Sequence, residues 1–244
     1  MPEGPSIVIL RELVEAEFTG KKVIAVSGNT KEDVSRAENN KIIAFKTWGK
    51  HFLICFKGFT IRIHLMLFGS YRINERKESP ARLSLTFKDG EINFYACSVK
   101  LLEGDINTNY SWDEDVMNDG WNPAKAKATL LEKPDKLACD ALLEQDIFSG
   151  VGNIIKNEVL YRVHVHPEAK VGNIPSEKMD EMIDEARIYS FQFLEWKKKF
   201  ILKKQWLAHT KKICKRCDLP LIKKITGVKK RRSFHCTNCQ HTYE

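Results

Sequence analysis

Ile43-Ala44-Phe45-Lys46-Thr47-Trp48-Gly49-Lys50-His51-Phe52-Leu53-Ile54-Cys55-Phe56 decides how the first half of this chain folds. Apolar residues alternate on both sides of Trp48-Gly49, the period of strands with one buried face, and the glycine marks a reversal. The segment therefore reads as a β-hairpin with Lys50 near its turn, exposed on a fixed loop. Phe59, Ile61, Ile63 and Leu65 alternate with Thr60, Arg62 and His64, and Leu83-x-Leu85-x-Phe87 and Ile92-x-Phe94 flank an Asp89-Gly90 turn. With one helix expected at about residues 7–17 and no strong helical pattern in the interior, the first hundred or so residues predict a two-sheet sandwich.

Downstream, from Asn122, the pattern turns helical. Residues 124–133 and 138–145 read as two short helices, and Met179, Met182, Ala186, Tyr189, Phe193, Trp196 and Phe200 recur at steps of three and four, the core face of a long amphipathic helix. Between them Phe148-Ser149-Gly150-Val151-Gly152-Asn153 leads into a helix over 154–162. A small-residue loop at a helix start is an anion site in waiting, where Asn153 and Lys156 could both reach one phosphate; the same turn also reads as a tight helix–helix connection.

The far end carries the charge. The chain's formal charge is +8, yet Lys197 to His235 alone holds fifteen Lys or Arg against the single acid Asp218, so the remainder is net acidic. Phe200, Trp206 and Phe234 are interleaved with the basic residues, which points to a folded surface for a nucleic acid. In the same stretch stand Cys214-x-x-Cys217 and Cys236-x-x-Cys239. Two such turns close a tetrahedral four-thiolate site with no position open to water, so a structural Zn2+ ion is expected. Residues 219–225 and 232–235 then form a hairpin with Gly227 near its turn, with Arg231 and Arg232 on a rigid pointer. The hairpin buries little apolar surface, so metal binding, worth roughly 10–16 kcal/mol in small zinc peptides, is expected to supply its fold. Cys55, Cys97 and Cys139 read as reduced, partly buried thiols. The first thirty residues show no signal pattern and no apolar run is long enough to span a membrane, so a cytoplasmic, nucleoid-associated protein is expected.

The N-terminus, Met1-Pro2-Glu3-Gly4-Pro5, has its own chemistry. Loss of Met1 would leave the secondary amine of Pro2 beside the Glu3 carboxylate, a nucleophile able to form a Schiff base with a proton donor adjacent; the two prolines equally suit a stiff entry into a helix.

Taken together, these segments resemble the formamidopyrimidine-DNA glycosylase and endonuclease VIII family. The start resembles the endonuclease VIII branch, Gly49-Lys50 its hairpin lysine, and Gly150-Val151-Gly152-Asn153-Ile154 with Asn157-Glu158-Val159-Leu160 its helix-two-turns-helix motif. Cys214 to Cys239, followed by Gln240, resembles its zinc finger, whose arginine is matched by Arg232 or, counting back from Cys236, by Arg231. The resemblance implies an α+β multidomain fold: an N-terminal catalytic β-sandwich with flanking helices over 1–115, a helix-two-turns-helix domain over 122–210 and a four-cysteine zinc-finger β-hairpin over 211–244. It implies a bifunctional DNA glycosylase and abasic-site lyase that acts as a monomer on damaged double-stranded DNA. Pro2, Glu3, Lys50 and Arg232 would form the catalytic set, Lys50, Asn153 and Arg232 gripping phosphates around the lesion, and Met66, Leu67 and Phe68 would fill the space left by a flipped nucleotide. Ser6 stands where the family commonly has a second glutamate. The short stretch before Cys214 leaves no room for a long loop capping an oxidised purine, which favours oxidised pyrimidines. A zinc-finger DNA-binding protein without catalysis accounts for the charge equally well, but not for Pro2, Glu3 and Lys50.

Overall fold

The computed structural model describes residues 2–243. The chain divides into two compact units, Met1–Ser111 and Trp112–Glu244. In the first, α1 (Gly4–Phe18) is followed by β1 (Ala25–Ser27), β2 (Ala44–Trp48), β3 (His51–Phe56), β4 (Phe59–His64), β5 (Ser70–Ile73), β6 (Leu83–Phe87), β7 (Gly90–Tyr95) and β8 (Ser98–Glu103). They form two antiparallel four-stranded sheets of order β1-β6-β7-β5 and β2-β3-β4-β8. Phe45, Phe52, Ile54, Ile61 and Ile63 from one sheet and Leu83, Leu85, Ile92 and Phe94 from the other share a core with Ile7, Leu10, Val14 and Phe18 of α1. The expected sandwich is therefore present. Helix α1 begins three residues before its apolar pattern, because Pro5 lies at its first turn where a missing N–H costs nothing.

Trp48 pairs with His51, which leaves Gly49-Lys50 as a two-residue loop, with Gly49 at φ +52. The His51 ring lies against Trp48, His64 and Tyr110, and its Nδ1 is 3.2 Å from the Tyr110 hydroxyl. Burial above all, then the positive charges of Arg62, His64 and Lys50, pull its pKa down to about 3. Cys55, Cys97 and Cys139 are buried, and burial raises all three thiols, Cys97 to about 11, so none is poised as a nucleophile.

The second unit holds α2 (Pro123–Leu131), α3 (Ala138–Ala141), α4 (Asn153–Arg162), α5 (Ser176–Lys198), α6 (Leu202–Gln205) and a hairpin of β9 (Ile222–Thr226) and β10 (Arg231–His235). Leu130, Leu142, Phe148, Ile155, Val159, Met182, Ala186, Tyr189 and Phe193 are central to its core. Two expectations fail here. The helix expected over 138–145 ends at Ala141, because Gln145 turns back: its Nε2 donates to Val151 O (3.1 Å) and its Oε1 accepts from Gly150 N (3.3 Å), holding the glycine turn. Phe200, placed on the core face of the long helix, lies beyond its end at φ +58 and is 95% exposed. No helix among the described residues is long and apolar enough to cross a membrane.

Both ends of the hairpin are attached to the helices. At its tip the buried Asp140 carboxylate accepts Val228 N (2.8 Å) and Lys229 N (3.1 Å), and Lys229 Nζ donates to Leu143 O (3.0 Å). A Cβ added at Gly227 would lie 2.3 Å from Asp140 Oδ2, and Gly227 has φ +68, so only glycine fits. Asp140→Ala should lower unfolding stability by about 2–3 kcal/mol in urea titration, since two backbone donors lose their shared acceptor.

The depressed His51 gives a second expectation. An unfolded chain takes up a proton below the ordinary histidine value of 6.5, whereas the folded one resists until about 3, so stability is full above pH 6.5 and falls as pH drops between those values. Thermal midpoints measured from pH 7.5 to 4 should show that fall, and His51→Asn should make it shallower, the remainder belonging to other depressed histidines such as His209 and His235.

Candidate functional site

The sequence-marked residues fall into two groups, one in each unit. In the sandwich, Pro2 is half-buried and Glu3, at the N-cap of α1, is 1% exposed. The Glu3 backbone carbonyl accepts Ser6 N (2.8 Å) while its carboxylate does not cap the helix. Helix α1 packs on β2 and β3, the strands whose turn carries Lys50. The N-terminal pair and the hairpin lysine are thus mounted on one rigid layer.

Between β4 and β5 the chain makes a tight reversal. Leu65 is buried, whereas Met66 (50% exposed), Leu67 (47%) and Phe68 (82%) stand out from the surface. Gly69 N donates to Leu65 O (2.7 Å), and a Cβ at Gly69 would fall 2.0 Å from that oxygen, so the turn requires glycine. Three neighbouring apolar side chains in water carry a standing hydrophobic cost that an occupant of a gap would remove.

In the second unit the glycine turn delivers Asn153 as the first residue of α4, with the first helical hydrogen bond running from Lys156 N to Gly152 O (2.9 Å). Helix α4 is enclosed from Ile155 to Tyr161. Its polar side chains face β10 and the loop before the cysteines. Glu158 accepts three backbone N–H groups, from Leu207 (2.9 Å), Ala208 (3.0 Å) and His209 (2.7 Å). Asn157 accepts Phe234 N at Oδ1 (3.1 Å), and its Nδ2 lies 2.8 Å from Asn153 O and 3.1 Å from His209 Nδ1. Burial first, then the charge of Lys156, lowers the His209 pKa to about 4. A neutral ring accepting at Nδ1 carries its proton on Nε2.

Asn153 Nδ2 donates to Arg232 O (3.0 Å), leaving Asn153 Oδ1 buried without a partner. Arg231 and Arg232 are both exposed on β10, opposite Thr226 and Ile225. The structure corrects the expectation for Lys156. Its side chain is fully enclosed and its Nζ donates to Ser233 Oγ (2.8 Å) and Arg232 O (3.2 Å), so it is directed at protein and not at the surface.

Cys214, Cys217, Cys236 and Cys239 converge, their sulfur atoms all within 4.8 Å of one another, a set able to hold a metal ion. Polar groups surround the sulfurs. Arg216 donates to Cys239 Sγ from Nε (3.3 Å) and Nη2 (3.1 Å), Asn238 Nδ2 donates to Cys217 Sγ (3.2 Å), and the Tyr161 hydroxyl lies 3.3 Å from Cys214 Sγ. Such contacts offset the negative charge of coordinating thiolates. Arg216 also stacks on Tyr161 (3.8 Å to the ring centroid) and donates to its carbonyl (2.7 Å), while Gln240 accepts Cys236 N and donates to Val165 O. The cysteine cluster is fastened to α4 and its exit.

Sequence reasoning missed Asp140, Arg216, Glu158 in its holding role, and the enclosure of Lys156. The Arg216 signal was a basic residue inside a C-x-x-C turn; Asp140 had none.

Comparison with known proteins bears on the family and the fold. The formamidopyrimidine-DNA glycosylase N-terminal domain matches residues 1–98, and the formamidopyrimidine-DNA glycosylase H2TH domain matches residues 115–190. The chain is 28% identical over 205 residues to endonuclease 8-like 3 of Mus musculus, covering 80% of this chain and 34% of that protein, so it spans about a third of that relative. It is 31% identical over 188 residues to endonuclease 8 2 of Mycobacterium tuberculosis, covering 71% of this chain and 72% of the relative. The structure of Lactococcus lactis formamidopyrimidine-DNA glycosylase, bound to DNA containing an AP site, superimposes with a TM-score of 0.87 at 20% identity, covering 98% of this chain and 99% of that one. Two family domains that together cover most of the sequence, and a curated relative above 30% identity, lead to one conclusion: this chain belongs to the formamidopyrimidine-DNA glycosylase and endonuclease VIII family.

Proposed function

We propose that this protein is a bifunctional DNA glycosylase and abasic-site lyase of base-excision repair, acting on oxidised bases, oxidised pyrimidines foremost, in double-stranded DNA. The observation that carries the reading is the buried Glu3 beside Pro2 at the head of a helix in a chain of this family. With Met1 removed, the Pro2 nitrogen attacks the sugar's anomeric carbon, the glycosidic bond breaks, and the base departs with its electron pair. Glu3 delivers a proton to the ring oxygen so that the sugar opens to an iminium. The iminium acidifies the adjacent carbon, whose proton loss expels the 3′ phosphate, and a second elimination releases the 5′ phosphate. Lys50, Asn153 and Arg232, or Arg231 in its place, hold backbone phosphates, and Met66, Leu67 and Phe68 occupy the vacated stack. A relative from Mycolicibacterium smegmatis, 26% identical over 71% of this chain, is named a DNA-(apurinic or apyrimidinic site) lyase.

The preference for pyrimidines rests on residues 199–213. That stretch holds a four-residue helix, α6, and the three residues Leu207 to His209 whose backbone donates to Glu158, which makes it short for a flap over a purine. For the metal, Zn2+ is the reading that fits: at about 2.3 Å per Zn–S bond, tetrahedral sulfurs stand about 3.8 Å apart, and Cys214 and Cys239 Sγ are 3.7 Å apart. Four thiolates close the site, so the ion's role is structural. One amine and one lesion need a single copy, and the reading includes a cytoplasmic, nucleoid-associated monomer.

Borohydride trapping tests the reaction. Protein lacking Met1 should form a covalent adduct with duplexes carrying an abasic site, 5-hydroxyuracil or thymine glycol, and Pro2→Gly should lose most adduct while still binding abasic DNA. A preferred adduct on 8-oxoguanine would overturn the substrate reading alone. Absence of any adduct from protein that binds these duplexes would make it a non-catalytic DNA-binding relative. Arg232→Ala should weaken binding and reduce the slope of log K against log salt by about 1, as for one lost phosphate contact.

A further inference from the structure

We infer that Lys156 is a positioning residue for DNA-backbone recognition: from inside α4 it fixes the roll of β10 and so the direction in which Arg232 projects. The inference rests on the DNA-binding reading above and adds to it a residue that touches no DNA. Among the described residues, Lys156 is the only Lys or Arg that is fully buried. Enclosing an ammonium costs several kcal/mol of desolvation, and an apolar side chain of the same length would fill the space more cheaply. What the ammonium supplies and a methionine could not is directed donation.

The partners define what is directed. The Arg232 carbonyl has two lone pairs. Asn153 Nδ2 (3.0 Å) and Lys156 Nζ (3.2 Å) supply two donors, while Asn157 Nδ2, also 3.2 Å from that oxygen, has closer acceptors in Asn153 O and His209 Nδ1. The second Lys156 bond, to Ser233 Oγ at 2.8 Å, continues to Thr226 Oγ1 at 2.6 Å, so a single ammonium is linked to both strands of the hairpin. Successive side chains on a strand leave opposite faces. With Ser233 tied inward to Lys156, Arg232 must leave on the other face, and with its carbonyl held as well, the peptide plane at its root cannot rotate. Loss of the ammonium frees both restraints at the residue whose guanidinium the DNA reading requires.

The experiment measures affinity for a duplex with a tetrahydrofuran abasic analogue across 50–200 mM salt, for wild type, Lys156→Met, Arg232→Ala and the double variant, with zinc content and thermal midpoint recorded for each. Lys156→Met should weaken binding by no more than Arg232→Ala does, about tenfold at most, with the salt slope lowered by no more than the roughly 1 that Arg232→Ala removes. In the Arg232→Ala background the same substitution should change affinity less than about twofold, because residues that act through one another are not additive. Full multiplication of the two effects, or a double variant whose slope lies a further ~1 below that of Arg232→Ala, would overturn the inference, the latter by making Lys156 a direct phosphate contact. Unchanged affinity with a lowered thermal midpoint would also overturn it, leaving a stability role only. If Lys156→Met does not fold, Ser233→Ala cuts half of the link and should show the same non-additivity with a smaller loss. Wild-type protein that ignores DNA altogether would sink the functional reading itself, and that result is separate from every outcome in which wild type binds.

Discussion

The polar face of α4 is the constraint on which the second unit depends. A helix buried on nearly every side normally carries apolar residues all round. Helix α4 instead encloses Lys156, Asn157 and Glu158 in consecutive positions, and each is satisfied by a different piece of chain: the hairpin strand, the strand together with His209, and the backbone before the first cysteine. Buried polar groups of this kind tolerate few alternative arrangements, since any shift leaves a donor or acceptor unmet. The glycine turn before α4, the cysteine cluster beyond it and the arginine-bearing strand therefore have their mutual geometry set by one helix of ten residues.

This changes what a metal held by the four cysteines would contribute. Sequence alone casts the ion as the source of the hairpin's fold, because two short strands bury little. In the structure the hairpin is also held at Asp140 and at Lys156 and Asn157, contacts that involve none of the four cysteines. The cysteine cluster closes one end of an element that the helices already hold along its length. Arg216 joins the two systems, since its guanidinium touches both Cys239 Sγ and the Tyr161 carbonyl.

Much of the architecture was legible because burial writes periodicity. The alternation around Trp48-Gly49 and through Phe59 to Leu65 gave strands and a sandwich, and the spacing of the four cysteines gave the hairpin. Periodicity also misled where its cause stopped short. Phe200 continues the apolar rhythm of α5 by one further step, but the helix has ended and the side chain stands in water. Residues 138–145 carry helical composition, yet Gln145 is committed to the glycine turn. Lys156 looked like a surface cation because lysine nearly always is one. Its enclosure depends on Ser233 and Arg232 at sequence separations of 77 and 76, and no local pattern reports a partner so distant.

The hairpin's attachment has a mechanical consequence. A finger fastened at its knuckle alone is a cantilever, and a load applied along it swings the free end. Here Asp140 and the glycine-only fit at Gly227 fasten the tip as well, so the hairpin is a beam supported at both ends, with Arg231 and Arg232 on the span next to the tip support. A beam of that kind deflects far less under the same force. A bent polymer straining to straighten against those arginines would push on α3 and α4, and the recoil would be borne by the helical core and not by the two strands.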